Sequence, residues 1–294
     1  MTTKPLPSFK RPPVVETVLG VQFEPLRGFR NAHLGAFWKF LEACWKGPDD
    51  PWTTLDADWR GVSKVADATP LDAAFELFGE RQTWGGVGPR LKISRDPSSR
   101  IQIRNASGDR MIQLQNGRLH YNWLGHHDSE YPRYSRVRPE FDLVFAQLRD
   151  FVSQEGLGES EPNQWEITYV NHLLKGTVWN NPSQWVGVFA SLPGITNYPG
   201  SMHLESFGGE WHWEIEPQRG RLHAKVVHGR SGQGENDELL RLTMTARGPI
   251  AREGGPGLSL EEGLDLGREL IVKTFVQITS QAAHEYWGLR DDNV

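Results

Sequence analysis

Gln164-Trp165-Glu166-Ile167-Thr168-Tyr169-Val170-Asn171-His172-Leu173-Leu174-Lys175 lies just past the middle of the chain and replays its opening. Val14 to Pro25 has the same character: β-branched and apolar residues, an early glutamate and a polar residue near the end. Read as strands, each begins a similar series of elements, so the chain reads as a duplication built about this seam. In the first half, Asn31 can cap a helix with Leu34, Phe37, Trp38, Leu41 and Trp45 on one stripe, closed by Gly47-Pro48. Pro51 to Gly88 shows no sustained period and reads as loop with a short helix at Leu71 to Leu77. Period two then sets in over Arg90–Arg95, Arg100–Arg104, Asp109–Gln115 and Arg118–Leu124. Asn116-Gly117, between Leu114 and Leu119, predicts a type I′ hairpin turn. Pro139 suits a first helical position ahead of Phe141, Val144, Phe145, Leu148 and Val152, and that stripe runs out at Gly156.

The second half repeats the order. A strand over Trp165 to Lys175 precedes a short helix opened by Asn181-Pro182 and closed by Pro193-Gly194. Strand-like runs follow at Met202–Phe207, Glu210–Glu216, Arg221–His228 and Leu239–Ala246. Ser259 with Glu262 forms a capping box for a helix that carries Leu260, Leu264, Ile271, Phe275 and Ile278 and extends toward Trp287. Each half thus reads strand, helix, four strands, long helix. That order predicts an α+β fold of duplicated units, a mainly antiparallel sheet with helices packed on one face. A sheet wrapped round its terminal helix resembles the helix-grip arrangement, which is doubled in TATA-binding-protein-like folds. The divisions expected are a proline-rich arm over 1–13, a first repeat over 14–158 and a second over 159–294.

Composition narrows the class. With 23% charged and 37% hydrophobic residues in 294, the chain can bury a substantial core. No apolar run approaches the roughly 18 residues of a membrane span, and no signal segment is visible, so the expected location is the cytoplasm. The single cysteine, Cys44, falls on an apolar helical face and reads as an inert buried thiol. The net charge of −5 is uneven: Arg90 to Arg138 carries +6, leaving −11 elsewhere. A bipolar molecule suits an anionic partner on one side, a protein or a nucleic acid, or head-to-tail self-association.

Several stretches together resemble a sporadically distributed bacterial protein family without assigned activity. They are Arg11 to Glu16, Gly117 to Trp123, Tyr131-Pro132-Arg133-Tyr134, Trp165 to His172 and His284 to Gly288, spread over nearly the whole chain. The resemblance implies a cytoplasmic protein of scattered occurrence and supplies no catalytic residues.

No nucleophilic triad, phosphate loop or dinucleotide fingerprint is present, so no catalytic residue and no cofactor is assigned, and binding is favoured over catalysis. Glu16, Asn171 and His172 read as structural hydrogen-bonding residues at the seam. His126-His127-Asp128 carries little as a metal site, and His212 with Glu214 and His223 is a metal candidate, although that strand face is polar in any case if Trp211, Trp213 and Ile215 face the core. The basic run is richer. Arg100, Arg104, Arg110 and Arg118, with Tyr121, Trp123, Arg133 and Arg136, have the residue types of an anion-binding surface. The leading expectation is a non-enzymatic binding or assembly protein that recognises another macromolecule through this basic sheet surface or through the N-terminal arm. One alternative is a small-molecule or catalytic site between the sheet and the long C-terminal helix, lined by Trp211, Trp213 and Phe275. A second is single-stranded nucleic acid or another anionic ligand.

Overall fold

The computed structural model describes residues 5–47, 49–55, 57–59, 61–68, 73–76, 91–94, 99–125, 130–190, 205–206, 208–231, 237–251 and 257–290. In chain order the elements are β1 (Ser8–Phe9), β2 (Val14–Phe23), α1 (Asn31–Trp45), β3 (Val62–Ala68), β4 (Ala73–Glu76), β5 (Leu91–Ser94), β6 (Arg100–Asn105), β7 (Arg110–Gln115), β8 (Arg118–Leu124) and α2 (Tyr134–Gln154). They continue with β9 (Pro162–Leu174), β10 (Gly208–Glu214), the short α3 (Glu216–Arg219), β11 (Arg221–Arg230), β12 (Glu238–Pro249), α4 (Leu260–Ile278), α5 (Gln281–Trp287) and β13 (Leu289–Arg290). Nine strands form one antiparallel sheet in the order β10-β11-β12-β9-β2-β8-β7-β6-β3. The two opening strands of the sequence reading, β2 and β9, pair antiparallel at its centre, with Leu19 opposite Ile167 and Val21 opposite Trp165.

Alternation along the strands separates two faces. Leu19, Val21, Leu119, Tyr121, Trp165, Ile167, Leu242 and Met244 point to one side and are buried. The long helices among the described residues, α1, α2 and α4, pack on that side. Phe37 of α1 meets Phe151 of α2 with ring centroids 5.4 Å apart, Glu140 of α2 reaches Tyr121, and α4 lies along β9 and β12. α4 comes very close to the sheet. A Cβ on Gly263 would lie 2.3 Å from Trp165, and one on Gly267 would lie 2.6 Å from Ile167, so only glycine lets the helix come this near. No helix among the described residues is long and apolar enough to cross a membrane.

Several local expectations are corrected. Between Pro51 and Gly88 the described residues form a 3-10 turn (Pro51–Thr54) and the strands β3 and β4, with no helix at residues 73–76. Trp52 and Trp59 lack a period because they serve one aromatic cluster with Trp45 and Tyr121, and the Trp45 and Trp59 rings stack at 4.9 Å. β3 takes the outer place in the sheet, while β5 pairs with β4 apart from it. The strand expected at Met202–Phe207 and the stop at Pro193-Gly194 lie outside the described residues, apart from Glu205 and Ser206.

Helix ends moved for identifiable reasons. Asn31 lies inside α1, whose cap is Arg30; His33 Nδ1 accepts from the Arg30 backbone at 2.8 Å, and the Asn31 side chain accepts from Ser99 N instead. α2 begins at Tyr134, so Pro139 falls in its second turn. A proline there forfeits one backbone bond, and burial of Tyr134 and Val137 ahead of it outweighs that loss. The C-terminal helix is broken at Thr279 because the chain near Phe189 bridges it: Ala190 N donates to Ile278 O and Ser280 N to Val188 O.

The described part of the proline-rich arm, residues 5–13, is docked. Phe9 packs between Phe275 and Trp287, with centroids at 5.5 and 6.0 Å, while Lys10 N and Arg11 N donate to Gly288 O and Trp287 O. The backbone donors of Lys10 and Arg11 are thus committed to the chain's own C-terminal segment.

The β7–β8 turn is at Asn116-Gly117 but is not type I′. Only Gly117 has positive φ, at 90°, the pattern of a type II turn. Asn116 is spared a left-handed conformation and turns its side chain to the preceding loop, accepting from Leu26 N at 2.8 Å. Asn116→Ala is therefore expected to lower stability by about 1 kcal/mol through that lost bond. Gly117→Ala should cost about 1–2 kcal/mol through backbone strain. Urea midpoints of the two variants check both.

Candidate functional site

Among the described residues no long helix packs on the opposite face of the central strands, and cross-strand register sorts its side chains into rungs. One rung runs Arg104, Met111, Asn122, Val18, Thr168 across β6, β7, β8, β2 and β9. The next runs Gln113, His120, Gly20, Glu166, Arg247 across β7, β8, β2, β9 and β12. A third holds Gln115, Arg118, Gln22 and Gln164, with Arg100 on β6 just beyond. Gly20 is the hinge of the second rung. A Cβ there would sit 2.7 Å from the His120 ring, so its absence lets the imidazole lean across β2 until Nε2 is 3.4 Å from Glu166.

This face is polar and yet largely buried. Gln22 is 1% exposed, Gln164 3% and His120 6%. Gln22 Nε2 and Oε1, Gln164 Nε2, His120 Nε2 and Arg100 Nε have no hydrogen-bond partner among the described residues. Buried polar groups are ordinarily satisfied, and each one left alone costs about 1–3 kcal/mol. Their concentration on one or two rungs is what marks the site.

Electrostatics follow from the same geometry. Burial pulls the Arg118 guanidinium below its usual range, with Arg247 adding to the effect and Glu166 opposing it. Arg100 is lowered by burial and by Arg118. Burial alone would raise the Glu166 carboxyl, but His120, Arg118, Arg247 and His223 bring it below its ordinary value, and Arg247 stands 3.6 Å away. Burial pushes His120 from 6.5 down to about 4, with Glu166 opposing and Arg118 and Arg100 reinforcing. The imidazole is thus neutral at pH 7 and a hydrogen-bonding group rather than a charge.

The groups facing His120 are Glu166 from β9, Arg118 on its own strand, Arg100 from β6, Gln113 from β7 and the bare Gly20 of β2. Below pH 6.5 the unfolded chain protonates this imidazole while the folded chain resists until about pH 4, so stability falls as pH drops through that window. The expected slope is about 1.4 kcal/mol per pH unit from this group. His120→Gln should flatten the stability profile relative to the parent between neutral pH and about 5, read from urea midpoints.

The expected binding residues divide between the faces. Arg100, Arg104 and Arg118 share the helix-free face. Arg110, Tyr121 and Trp123 do not. Arg110 lies opposite Trp123 in the register, points into the core at 3% exposure and holds Glu140 of α2 through two bonds, of 2.7 and 3.1 Å. Arg133 ties the arm to α2 by donating to Phe9 O and lies over the Tyr131 ring, and Arg136 is on α2. The metal candidate is not assembled either. His212 and His223 face each other with Nδ1 atoms 2.6 Å apart, but Glu214 sits opposite Arg221, and no three-ligand group occurs among the described residues. His126-His127-Asp128 lies outside the described residues.

Glu16 accepts from Asn122 at 2.6 Å, and Asn171 donates to Leu242 O, as structural hydrogen-bonding residues do. The cluster of Gln22, Gln164, His120 and Glu166 was missed in the sequence reading. Its signal was present as polar residues at alternate positions in otherwise apolar strands, but which of them meet depends on the register of β2 with β8 and β9. No protein-family profile, no curated protein and no solved structure matches the chain, so the family resemblance rests on its local stretches alone.

Proposed function

We propose that the protein is a non-enzymatic binding protein whose helix-free sheet face docks an acidic segment of another protein. The observation that carries this reading is the set Arg100, Arg104 and Arg118, gathered on one face and partly exposed. No carboxylate among the described residues forms an ion pair with Arg118. Charge complementarity selects the occupant: a desolvated guanidinium gains most from a carboxylate or phosphate that replaces its lost water. A protein partner is favoured over single-stranded nucleic acid because Tyr121 and Trp123, the rings that would stack on bases, are turned into the core, and because Glu16 and Glu166 interrupt the positive field.

The alternative of a ligand cavity beneath the C-terminal helix has less support. α4 lies directly on Trp165, and Phe275 is engaged with Phe9 and Trp287. The cavity beside Phe275, lined also by Tyr131, Arg133, Tyr169 and Asn171, is only ≈ 70 Å³, well below the roughly 300 Å³ where ligand sites begin.

Duplication of a helix-grip-like unit belongs to the same reading. In each half the last strand returns beside the opening one, β8 beside β2 and β12 beside β9, and a long helix follows it. The face would then continue across the seam between two copies.

The test is binding of a fluorescent oligoglutamate peptide, with oligothymidylate as the competing probe. Binding of the peptide that weakens with salt, and that is lost in the Arg100→Gln, Arg104→Gln, Arg118→Gln variant with its thermal stability intact, supports the reading. Unchanged peptide binding by that variant, or tighter binding of the oligonucleotide, overturns it.

A further inference from the structure

The partner's anionic group can be specified more closely from the third rung, on the reading just given. We propose that Arg100, Arg118, Gln22, Gln164 and His120 frame a subsite for a phosphate monoester. Gln22 and Gln164 face each other across the central strand pair, and Arg118 flanks Gln22 from β8. Adjacent strands stand about 4.8 Å apart, so the two amides and the guanidinium come from neighbouring strands at a spacing that one phosphate group can bridge. The unpartnered atoms there are mainly donors: Gln22 Nε2, Gln164 Nε2 and Arg100 Nε.

Charge selects the dianion. Glu166 and Arg247 are already paired at 3.6 Å on the neighbouring rung, and His120 is neutral. Arg100 and Arg118 are left as two positive charges, and Arg100 Nη1 donates to the neutral Gln113. A phosphate monoester carries close to two negative charges at neutral pH and accepts from several donors at once, whereas a carboxylate would leave one guanidinium uncompensated. His120 Nε2 can supply a further donor in the matching tautomer. Glutamine at positions 22 and 164 is otherwise hard to account for, since a buried amide without partners destabilises the free protein.

The test uses the full chain with three probes: inorganic phosphate, a phosphoserine peptide and its unphosphorylated counterpart, by calorimetry and thermal shift. Phosphate or the phosphopeptide should bind and raise the melting temperature, and Arg118→Gln should weaken binding by about ten- to a hundredfold. Lys225→Gln, on β11 away from the subsite and already paired with Glu210, should leave phosphate binding unchanged. Gln22→Met gives an independent check that does not depend on Arg118→Gln folding. Removing the unpartnered amide should raise the stability of the free protein while weakening phosphate binding.

If inorganic phosphate binds but the phosphopeptide binds no more tightly, the source is a free phosphate monoester rather than a modified partner. If neither binds while the oligoglutamate peptide still does, the subsite is wrong and the docking reading stands. Phosphate binding without peptide binding has the reverse meaning. Phosphate affinity unaffected by both Arg118→Gln and Gln22→Met overturns the proposal.

Discussion

Arg110→Ala should lower the free energy of unfolding by about 3–5 kcal/mol, the cost of leaving a buried charge without its partner. Glu140 is 0% exposed on α2 and takes both of its strong bonds from Arg110, at 2.7 and 3.1 Å, with the Tyr121 hydroxyl adding a third at 2.9 Å. Burial alone would lower the Arg110 pKa, but Glu140 outweighs it and holds the guanidinium charged. The pair pins α2 to β7, and Asp109 completes the shell at 2.7 Å. Replacing both partners should behave differently. The Arg110→Met, Glu140→Leu double variant removes the stranded charge and should recover most of the loss, because a buried pair replaced by apolar residues of similar volume is often neutral. Urea denaturation of parent, single and double variants decides the matter. A single variant as stable as the parent would show that the ion pair does not hold the helix.

Trp165→Ala should cost a similar amount, about 3–5 kcal/mol, by emptying a slot made for an indole. The ring is 0% exposed and bounded by three glycines: a Cβ on Gly248 would lie 2.7 Å from it, on Gly263 2.3 Å and on Gly267 2.8 Å. Two of these are one helical turn apart on α4, so the ring is seated against helix backbone. Gly263→Ala approaches the same contact from the other side. It should destabilise by about 1–3 kcal/mol through overpacking, although alanine is about 1 kcal/mol the better helix former. Gly35 in α1 has nothing within 4 Å of an added Cβ, and Gly35→Ala should stabilise by up to about 1 kcal/mol. Opposite signs for one substitution in two helices, read from thermal unfolding, isolate packing from propensity.

Much of the architecture was legible because it is local. Period two over Arg100–Arg104 and Arg118–Leu124 and the three-and-four stripe of Leu34, Phe37 and Leu41 each answer to a single neighbouring core. The capping box of Ser259 and Glu262 formed as expected, with Ser259 N donating to Glu262 at 2.9 Å and Glu262 N to Ser259 at 3.1 Å. Where a segment serves several distant partners the period is lost. Trp52 and Trp59 answer to Trp45 and Tyr121.

The sequence alone determined that this is an α+β chain with its two similar strands as organising elements, and that Arg100 and Arg104 alternate away from Ile101 and Ile103. Tertiary structure decided the rest of the site. β7 is buried at all six positions, so polarity could not say which of its sides meets the helices, and Arg110 went inward because Glu140 waits there, thirty residues away. Gln22, Gln164 and His120 became neighbours only through the pairing of β8, β2 and β9. A one-residue slip in a strand exchanges its faces, so register, a property of long-range pairing, determined which polar residues meet.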